Sequence, residues 1–230
     1  MELSIIIPSY NEQNLIEKTI KETRNYFLKL YEKDEFEIII VNDGSKDNTE
    51  DIVKKIKKES NYNNLKLLSY NKNKGKGYAV KRGMHVSKGE INLMMDADLA
   101  TPLNQFEKII KFIDNYDIVI GSRVSPKAER KPLKEILGKT SYFIVESILH
   151  LNLKDTQCGF KLFRKDVLDI FEEQTIDGFG FDFEILYIAR KKGYKIKEIP
   201  VKWKEKGDSK VKLKHYFLAL NQLLEVKKNH

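Results

Sequence analysis

The chain has a single cysteine, Cys158, in 230 residues, so an internal disulfide is impossible and the composition suits a reducing compartment. No apolar run approaches the ~20 residues that cross a bilayer. Met1-Glu2-Leu3 leads directly into a strand-like segment without the regions of a secretory leader, and the expectation is a soluble or membrane-peripheral protein. Zinc-ligand spacings, RNA-binding aromatic motifs and low-complexity arms are lacking, so no nucleic-acid partner is expected. Pro8-Ser9-Tyr10-Asn11-Glu12 contains no glycine. That disfavours a sugar nucleotidyltransferase, which needs a glycine-rich triphosphate-binding loop near the first strand. Neither an internal repeat nor a clear linker divides the chain.

With 41% hydrophobic and 33% charged residues, the chain can bury a full core as one domain, residues 1–230. Its net charge of +8 admits phosphorylated small molecules, anionic lipid or nucleic acid, and composition does not choose among them. A non-enzymatic reading stays open on this ground, with a basic surface that binds polyanions and acids that are structural. It predicts salt-sensitive polyanion binding without saturable, metal-dependent nucleotide binding.

Two hydrophobic periods alternate through the first half. Leu3 to Ile7, Phe36 to Val41, Leu65 to Leu68, Ile91 to Met95 and Ile118 to Ile120 read as strands. Between them, Leu15, Ile16, Ile20, Phe27 and Leu30 recur at helical spacing; Asp47 or Asn48 can cap a helix through Ile52, Val53 and Ile56; Tyr78 to Ser87 is helix-like. Pro102 sits where a further helix can start, with Phe106, Ile109, Ile110 and Ile113 as its buried stripe. Strands alternating with helices predict an α/β fold with a mostly parallel sheet.

Asp96-Ala97-Asp98 follows one of these strands directly. Two carboxylates leaving a buried strand at its carboxyl edge stand where open α/β sheets bind ligands, and Mg²⁺ is usually held by one or two carboxylates plus phosphate oxygens and water. Alone the pair is equally a solvated turn or a helix cap. Its neighbours change the weighting, because Pro8 to Glu12 follows the first strand and Asn42-Asp43-Gly44-Ser45 the second. In a parallel sheet all three acid-bearing loops share the ligand edge.

Beyond the strand ending near Ile120 the chain turns polar and basic, with Arg123, Lys127, Arg130 and Lys131. Ile136 to Leu153 then reads as an amphipathic helix. A second such segment, Val211 to Val226, places Leu213, Phe217, Leu220, Leu223 and Leu224 on one face. A membrane surface, the protein core or an oligomer partner can each take these faces.

Seven segments in order, Pro8 to Glu12, Val41 to Ser45, Lys74-Gly75-Lys76-Gly77, Asp96 to Asp98, Gly121-Ser122-Arg123, Asp155 to Lys161 and Phe181-Asp182-Phe183-Glu184, resemble the family-2 glycosyltransferases of the GT-A fold. Within that family the chain is similar to the dolichyl-phosphate glucosyltransferases and, more distantly, the dolichyl-phosphate mannose synthases, which use GDP-mannose. The resemblance implies a Rossmann-like nucleotide-diphospho-sugar transferase fold, its mostly parallel central sheet flanked by helices. A nucleotide-sugar-binding half would cover about residues 1–122 and an acceptor- and membrane-proximal half about 123–230. The implied reaction is inverting transfer from UDP-glucose to a dolichyl or other polyprenyl phosphate, by a protein lying peripherally on the cytoplasmic face of a membrane. Other UDP-sugar donors or acceptors remain open.

By the same resemblance Pro8, Tyr10 and Glu12 frame the base and ribose, and Asp43 hydrogen-bonds the base. Asp96 and Asp98 handle the metal, Mg²⁺ or Mn²⁺, and the diphosphate, with Ala97 between them in the nucleotide-sugar site. Lys76 helps hold the nucleotide, unless it is merely solvated. Arg123 and Arg130 grip the acceptor phosphate, for which a planar guanidinium fork is suited; an ion pair at a strand end is the alternative for Arg123. Ser209-Lys210, after Trp203, matches a tail that closes over the diphosphate, although Trp203 can equally be a packing residue. The catalytic set is Asp98, Arg123 and Asp182, the last orienting an acceptor or sugar hydroxyl. Asp182 and Glu184 share a face only if their segment is extended and point apart if it is helical; a helix-start acid is the plain alternative. Where mannose synthases usually carry a metal-assisting glutamine this chain has Ala100, which marks the glucosyltransferase branch.

Overall fold

The computed structural model describes residues 1–59, 62–124, 128–129, 143–204 and 213–230, without the side chains of 128–129 and 213–220. The strands are β1 (Leu3–Ser9), β2 (Phe36–Asp43), β3 (Leu65–Tyr70), β4 (Ile91–Met95), β5 (Ile118–Ser122), β6 (Ala128–Glu129), β7 (Phe160–Arg164), β8 (Ile196–Pro200) and β9 (Trp203–Lys204). The helices are α1 (Ile16–Phe27), α2 (Thr49–Glu59), α3 (Lys76–Val86), α4 (Phe106–Ile109, flanked by 3₁₀ turns), α5 (residues 143–149), α6 (Ile170–Glu173), α7 (Phe181–Lys191) and α8 (Leu213–Asn229).

Among the described residues the main sheet runs β3-β2-β1-β4-β7-β5-β8, and β6 pairs with β9 separately. Every pairing in the main sheet is parallel except those of β7, which lies antiparallel between β4 and β5. Helices cover both faces, as the GT-A resemblance implies. β7 and β8 come from beyond residue 123 and complete the sheet that begins at β1.

Strand patterning explains the layers. Ile6, Ile39 and Val41 pack on one side with α3, α6, α7 and α8. Leu3, Ile5, Ile7, Ile38 and Ile40 point to the other, against Ile16, Ile20, Phe27, Val53, Ile56 and Phe106. Successive strand residues face opposite ways, so a strand buried on both faces reads as an unbroken apolar run. Each such side chain contributes roughly 1.5–3 kcal/mol on full burial. The first-half strands were visible in sequence for that reason.

Several sequence expectations need correction. Leu30 is 42% exposed in the turn after α1, because the helix ends at Phe27 and the buried stripe ends with it. The helix read over 136–153 is described only from 143 and stops at 149. His150 and Asn152 take φ of 48° and 52°, and Leu149, Leu151 and Leu153 are all buried. The left-handed residues end the helix and alternate with the buried leucines, so Leu151 and Leu153 reach the core from a non-helical segment. On α8, Leu223 and Val226 are buried while Leu224 is 57% exposed, so the apolar face is narrower than expected. Leu213, Phe217 and Leu220 fall among side chains outside the described set.

Candidate functional site

Strands β1, β2, β3 and β4 run the same way, so the loops that follow them converge on one edge. The first two loops are stitched together. Asn11, at φ 53°, donates its backbone N–H to Ser45 Oγ at 2.9 Å and accepts the Lys46 N–H at 2.8 Å; Glu12 N–H donates to Thr49 Oγ1 at 2.8 Å and Gln13 N–H to Asp47 Oδ2 at 3.1 Å. A non-glycine residue in left-handed conformation persists only where its surroundings over-determine it. Here those hydrogen bonds do so, and they fix the loop that carries Pro8, Tyr10 and Glu12, each half-buried, at the carboxyl end of β1. Asp47 also accepts the Thr49 N–H at 3.0 Å, so it helps start α2 as the sequence reading allowed.

Asp43 organises the opposite loop. Its carboxylate accepts Asn73 Nδ2 at 2.9 Å, Lys74 N–H at 2.8 Å and Gly75 N–H at 2.9 Å, and only 3% of the residue is exposed. Gly44 makes the close approach possible, since at φ +63° a Cβ would lie 2.6 Å from Asn73 N. Asp43 therefore holds this loop in place. A carboxylate has about four acceptor positions, and three go to the 73–75 loop, which delivers Lys76 as the first residue of α3.

At the end of β4, Asp96 N–H continues the ladder to Gly159 O at 3.1 Å, and the Asp96 carboxylate receives Lys76 Nζ at 2.7 Å. Burial alone would lower the Lys76 ammonium, but Asp96 and Asp182 outweigh it and hold the group above its ordinary range. Asp98 turns back to accept the Ala100 N–H at 2.9 Å, with Leu99 between them at φ 54°. Ala97 is buried, and its carbonyl accepts the Thr19 hydroxyl at 2.6 Å, which ties the motif to α1.

The residues fit a divalent cation. Two carboxylates at one strand end, one already holding a cation, match the usual share that protein supplies to Mg²⁺. No group of three or more potential ligands exists among the described residues, so phosphate oxygens and water would complete the shell. Gly159 keeps the space open, since a Cβ there would fall on the Asp96 carboxylate. Gly159→Ala is expected to preserve the fold and displace that carboxylate. Misplacement by about 1 Å can cost about 10²-fold in rate, and thermal unfolding beside Mn²⁺-dependent UDP binding will separate the two effects.

Arg123 follows β5. It donates Nε and Nη2 to Asp155 at 2.8 and 2.7 Å, and its backbone N–H to the same carboxylate at 2.7 Å. Asp155 overcomes burial and raises the guanidinium further. The strand-end ion pair weighed against phosphate binding is thus present, with two of five guanidinium donors committed to it. The Trp203 ring centre lies 5.9 Å from Arg123 Cζ, and Lys204 N–H donates to Ala100 O at 2.9 Å, which brings β9 to the Asp-x-Asp turn. Arg130 and Ser209-Lys210 lie outside the described residues.

The Phe181–Glu184 segment is helical, so its two acids point apart. Asp182, 3% exposed, is paired with the fully buried Lys161, whose Nζ also donates to Cys158 O at 2.7 Å. One oxygen of the acid expected to orient a hydroxyl is therefore committed to a lysine. Glu184 accepts Thr175 N–H and Ile176 N–H, both at 2.9 Å, and fixes the turn before α7. The sequence places Lys161 and Asp155 within one motif and assigns neither a role. The available signal was an ionisable residue inside an apolar run, Phe160-Lys161-Leu162-Phe163, since buried charges occur paired.

Cys158 is fully buried, and desolvation, followed by the Asp155 charge, pushes its thiol from 9.0 up to about 12. A raised thiol favours the neutral form in the fold. Its contribution is therefore complete below pH about 9 and lost as pH climbs toward about 12, where the unfolded chain alone ionises. Native protein is expected to resist iodoacetamide at pH 8.5 and to react on unfolding, a contrast that mass spectrometry can read.

The described residues contain no helix long and apolar enough to cross a membrane. Residues 4–171 match the family model described as "Glycosyl transferase family 2". The chain is 42% identical to a dolichyl-phosphate beta-glucosyltransferase of Trichomonas vaginalis over 97% of its own length and 72% of that protein's. To the dolichyl-phosphate beta-glucosyltransferase of Saccharomyces cerevisiae it is 37% identical, covering 92% and 69%. Among solved structures, glucosyl-3-phosphoglycerate synthase of Mycobacterium tuberculosis, in complex with Mn²⁺, UDP and glucosyl-3-phosphoglycerate, superposes with a TM-score of 0.71 over 98% of this chain and 78% of that one, at 16% identity. That likeness concerns the fold.

Proposed function

Because this chain belongs to glycosyltransferase family 2, we propose that it is an inverting enzyme moving glucose from UDP-glucose to a dolichyl-type polyprenyl phosphate. The observation that carries the chemistry is the Asp96-Ala97-Asp98 turn at the ligand edge, with Lys76 2.7 Å from Asp96. Glucose and the lipid acceptor are supported by the activity for which the Trichomonas and yeast relatives are named.

The acceptor needs no strong general base, since a phosphate monoester is mostly dianionic near neutral pH. One of its oxygens attacks the anomeric carbon as the bond to UDP breaks, and the sugar inverts without a covalent enzyme intermediate. Catalysis comes chiefly from positioning and electrostatics. Asp96 and Asp98 would hold Mg²⁺ or Mn²⁺, which when bound neutralises charge on the departing diphosphate. Pro8, Tyr10 and Glu12 frame the nucleoside, and Asp43 meets its base. Arg123 offers the acceptor phosphate the donors that Asp155 leaves, with Arg130 as a second cation. Asp182, held by Lys161, acts as a fixed counter-charge beneath Lys76. The +8 charge suits peripheral attachment to the anionic cytoplasmic face of a membrane.

The test is transfer from labelled UDP-glucose, other UDP-sugars and GDP-mannose to a short polyprenyl phosphate, with Mg²⁺, Mn²⁺ or chelator. Metal-dependent product from UDP-glucose is expected. Product from GDP-mannose alone would keep the mechanism and overturn the donor; absence of lipid product beside intact UDP-sugar binding would overturn the acceptor.

A further inference from the structure

We infer that Lys76 is the resident cation of the Asp96 carboxylate before donor binding, and that it passes from Asp96 to the donor diphosphate when the divalent ion arrives, so that ion and nucleotide enter together. The inference rests on the proposed metal-nucleotide site and deepens it.

Lys76 Nζ lies 2.7 Å from Asp96 Oδ1. A divalent ion would need that carboxylate as a direct ligand, and a monovalent ammonium on the same oxygen would repel it at close range, where screening is weakest. The ammonium must therefore leave before the ion can bind well. Its surroundings make departure costly in the empty site. Lys76 feels Asp96 and Asp182 together, Asp182 is already matched by Lys161, and the Arg123 charge opposes the ammonium. A bare Mn²⁺ would leave the ammonium only the Asp182 charge, which Lys161 already matches, whereas Mn²⁺ with UDP supplies a counter-charge in the diphosphate. The backbone fixes the starting point of this exchange, since Lys76 opens α3 and Gly75, at φ +114°, packs against the Asp177 carbonyl where a Cβ has no room. The ammonium can reorient through its flexible stem while the Cα stays in place.

Such an exchange couples two ligands, and coupling between binding sites is reciprocal. In the wild-type chain Mn²⁺ alone should bind weakly, and UDP should tighten it strongly. In Lys76→Met the Asp96 carboxylate is unpaired, so Mn²⁺ alone should bind about fivefold tighter, the scale of one partly exposed ion pair. UDP in the presence of Mn²⁺ should bind about fivefold weaker, and the coupling should shrink by both factors. Electron paramagnetic resonance titration of free Mn²⁺ and calorimetry of UDP measure each leg without turnover. Thermal unfolding reports the integrity of each variant, and Lys76→Gln supplies a second neutral side chain with the same expected pattern. Lys76→Met combined with Asp96→Asn should lose the gain in Mn²⁺ affinity, which assigns that gain to Asp96. Unchanged or weaker Mn²⁺ binding in both single variants, with UDP–Mn²⁺ binding intact in the wild-type chain, overturns the exchange alone. Absence of UDP–Mn²⁺ binding in the wild-type chain overturns the exchange and the nucleotide-site reading together.

Discussion

Asp98→Asn is expected to lower turnover by about 10²–10³-fold, the range for removing one charge-stabilising group from a transition state, while the protein stays folded. The amide is the informative replacement. Asp98 Oδ1 accepts the Ala100 N–H at 2.9 Å and so helps hold Leu99 at φ 54°. Asparagine keeps an oxygen for that bond and tolerates the turn, but brings no charge to the diphosphate. Asp98→Ala removes both. If charge is the function, the two variants lose similar activity and only alanine loses measurable stability. If Asp98 merely shapes the turn, asparagine retains near-normal rates and the metal assignment falls. Rates at saturating donor, with and without excess Mn²⁺, beside thermal unfolding of both variants, decide between these outcomes.

The first half of this edge was legible because its strands announce themselves. β1, β2 and β4 carry apolar runs that give way to polar loops bearing acids, and parallel topology carries all three ends to one place without any tertiary information. What sequence could not supply was the strand that lies beside β4. Phe160–Arg164 is short and carries Lys161 at its second position, so it reads as a motif in a loop rather than as sheet. Its antiparallel insertion between β4 and β5 is what brings Gly159 against Asp96 and Cys158 near Arg123. β8 was hidden similarly, because Ile196-Lys197-Glu198-Ile199-Pro200 is an edge strand with charges in the middle and proline at its end. The pairing of Asp43 with the 73–75 loop was equally out of reach. An aspartate that accepts backbone N–H groups carries no mark of it in sequence, and the close approach permitted by Gly44 exists only in the fold.

The buried pair behind the site gives the second large effect. Lys161 and Asp182 are 0% and 3% exposed, so neither charge can be hydrated if the other is removed. Breaking a buried pair by deleting one partner typically costs about 3–5 kcal/mol, whereas replacing both with apolar groups of similar volume is often neutral. Lys161→Met is therefore expected to destabilise the fold by about 3–5 kcal/mol in urea unfolding, and Lys161→Met combined with Asp182→Leu should recover most of that loss. Activity should not recover with it. If Asp182 serves as the counter-charge beneath Lys76, the stable double variant loses a carboxylate whose charge helps hold the Lys76 ammonium, and UDP–Mn²⁺ affinity falls although the fold is restored. A double variant that is both stable and fully active would mean that the pair only packs the core. A single variant of near wild-type stability would mean that the stranded Asp182 finds water or a proton at little cost, and that the pair contributes less to this fold than its burial implies.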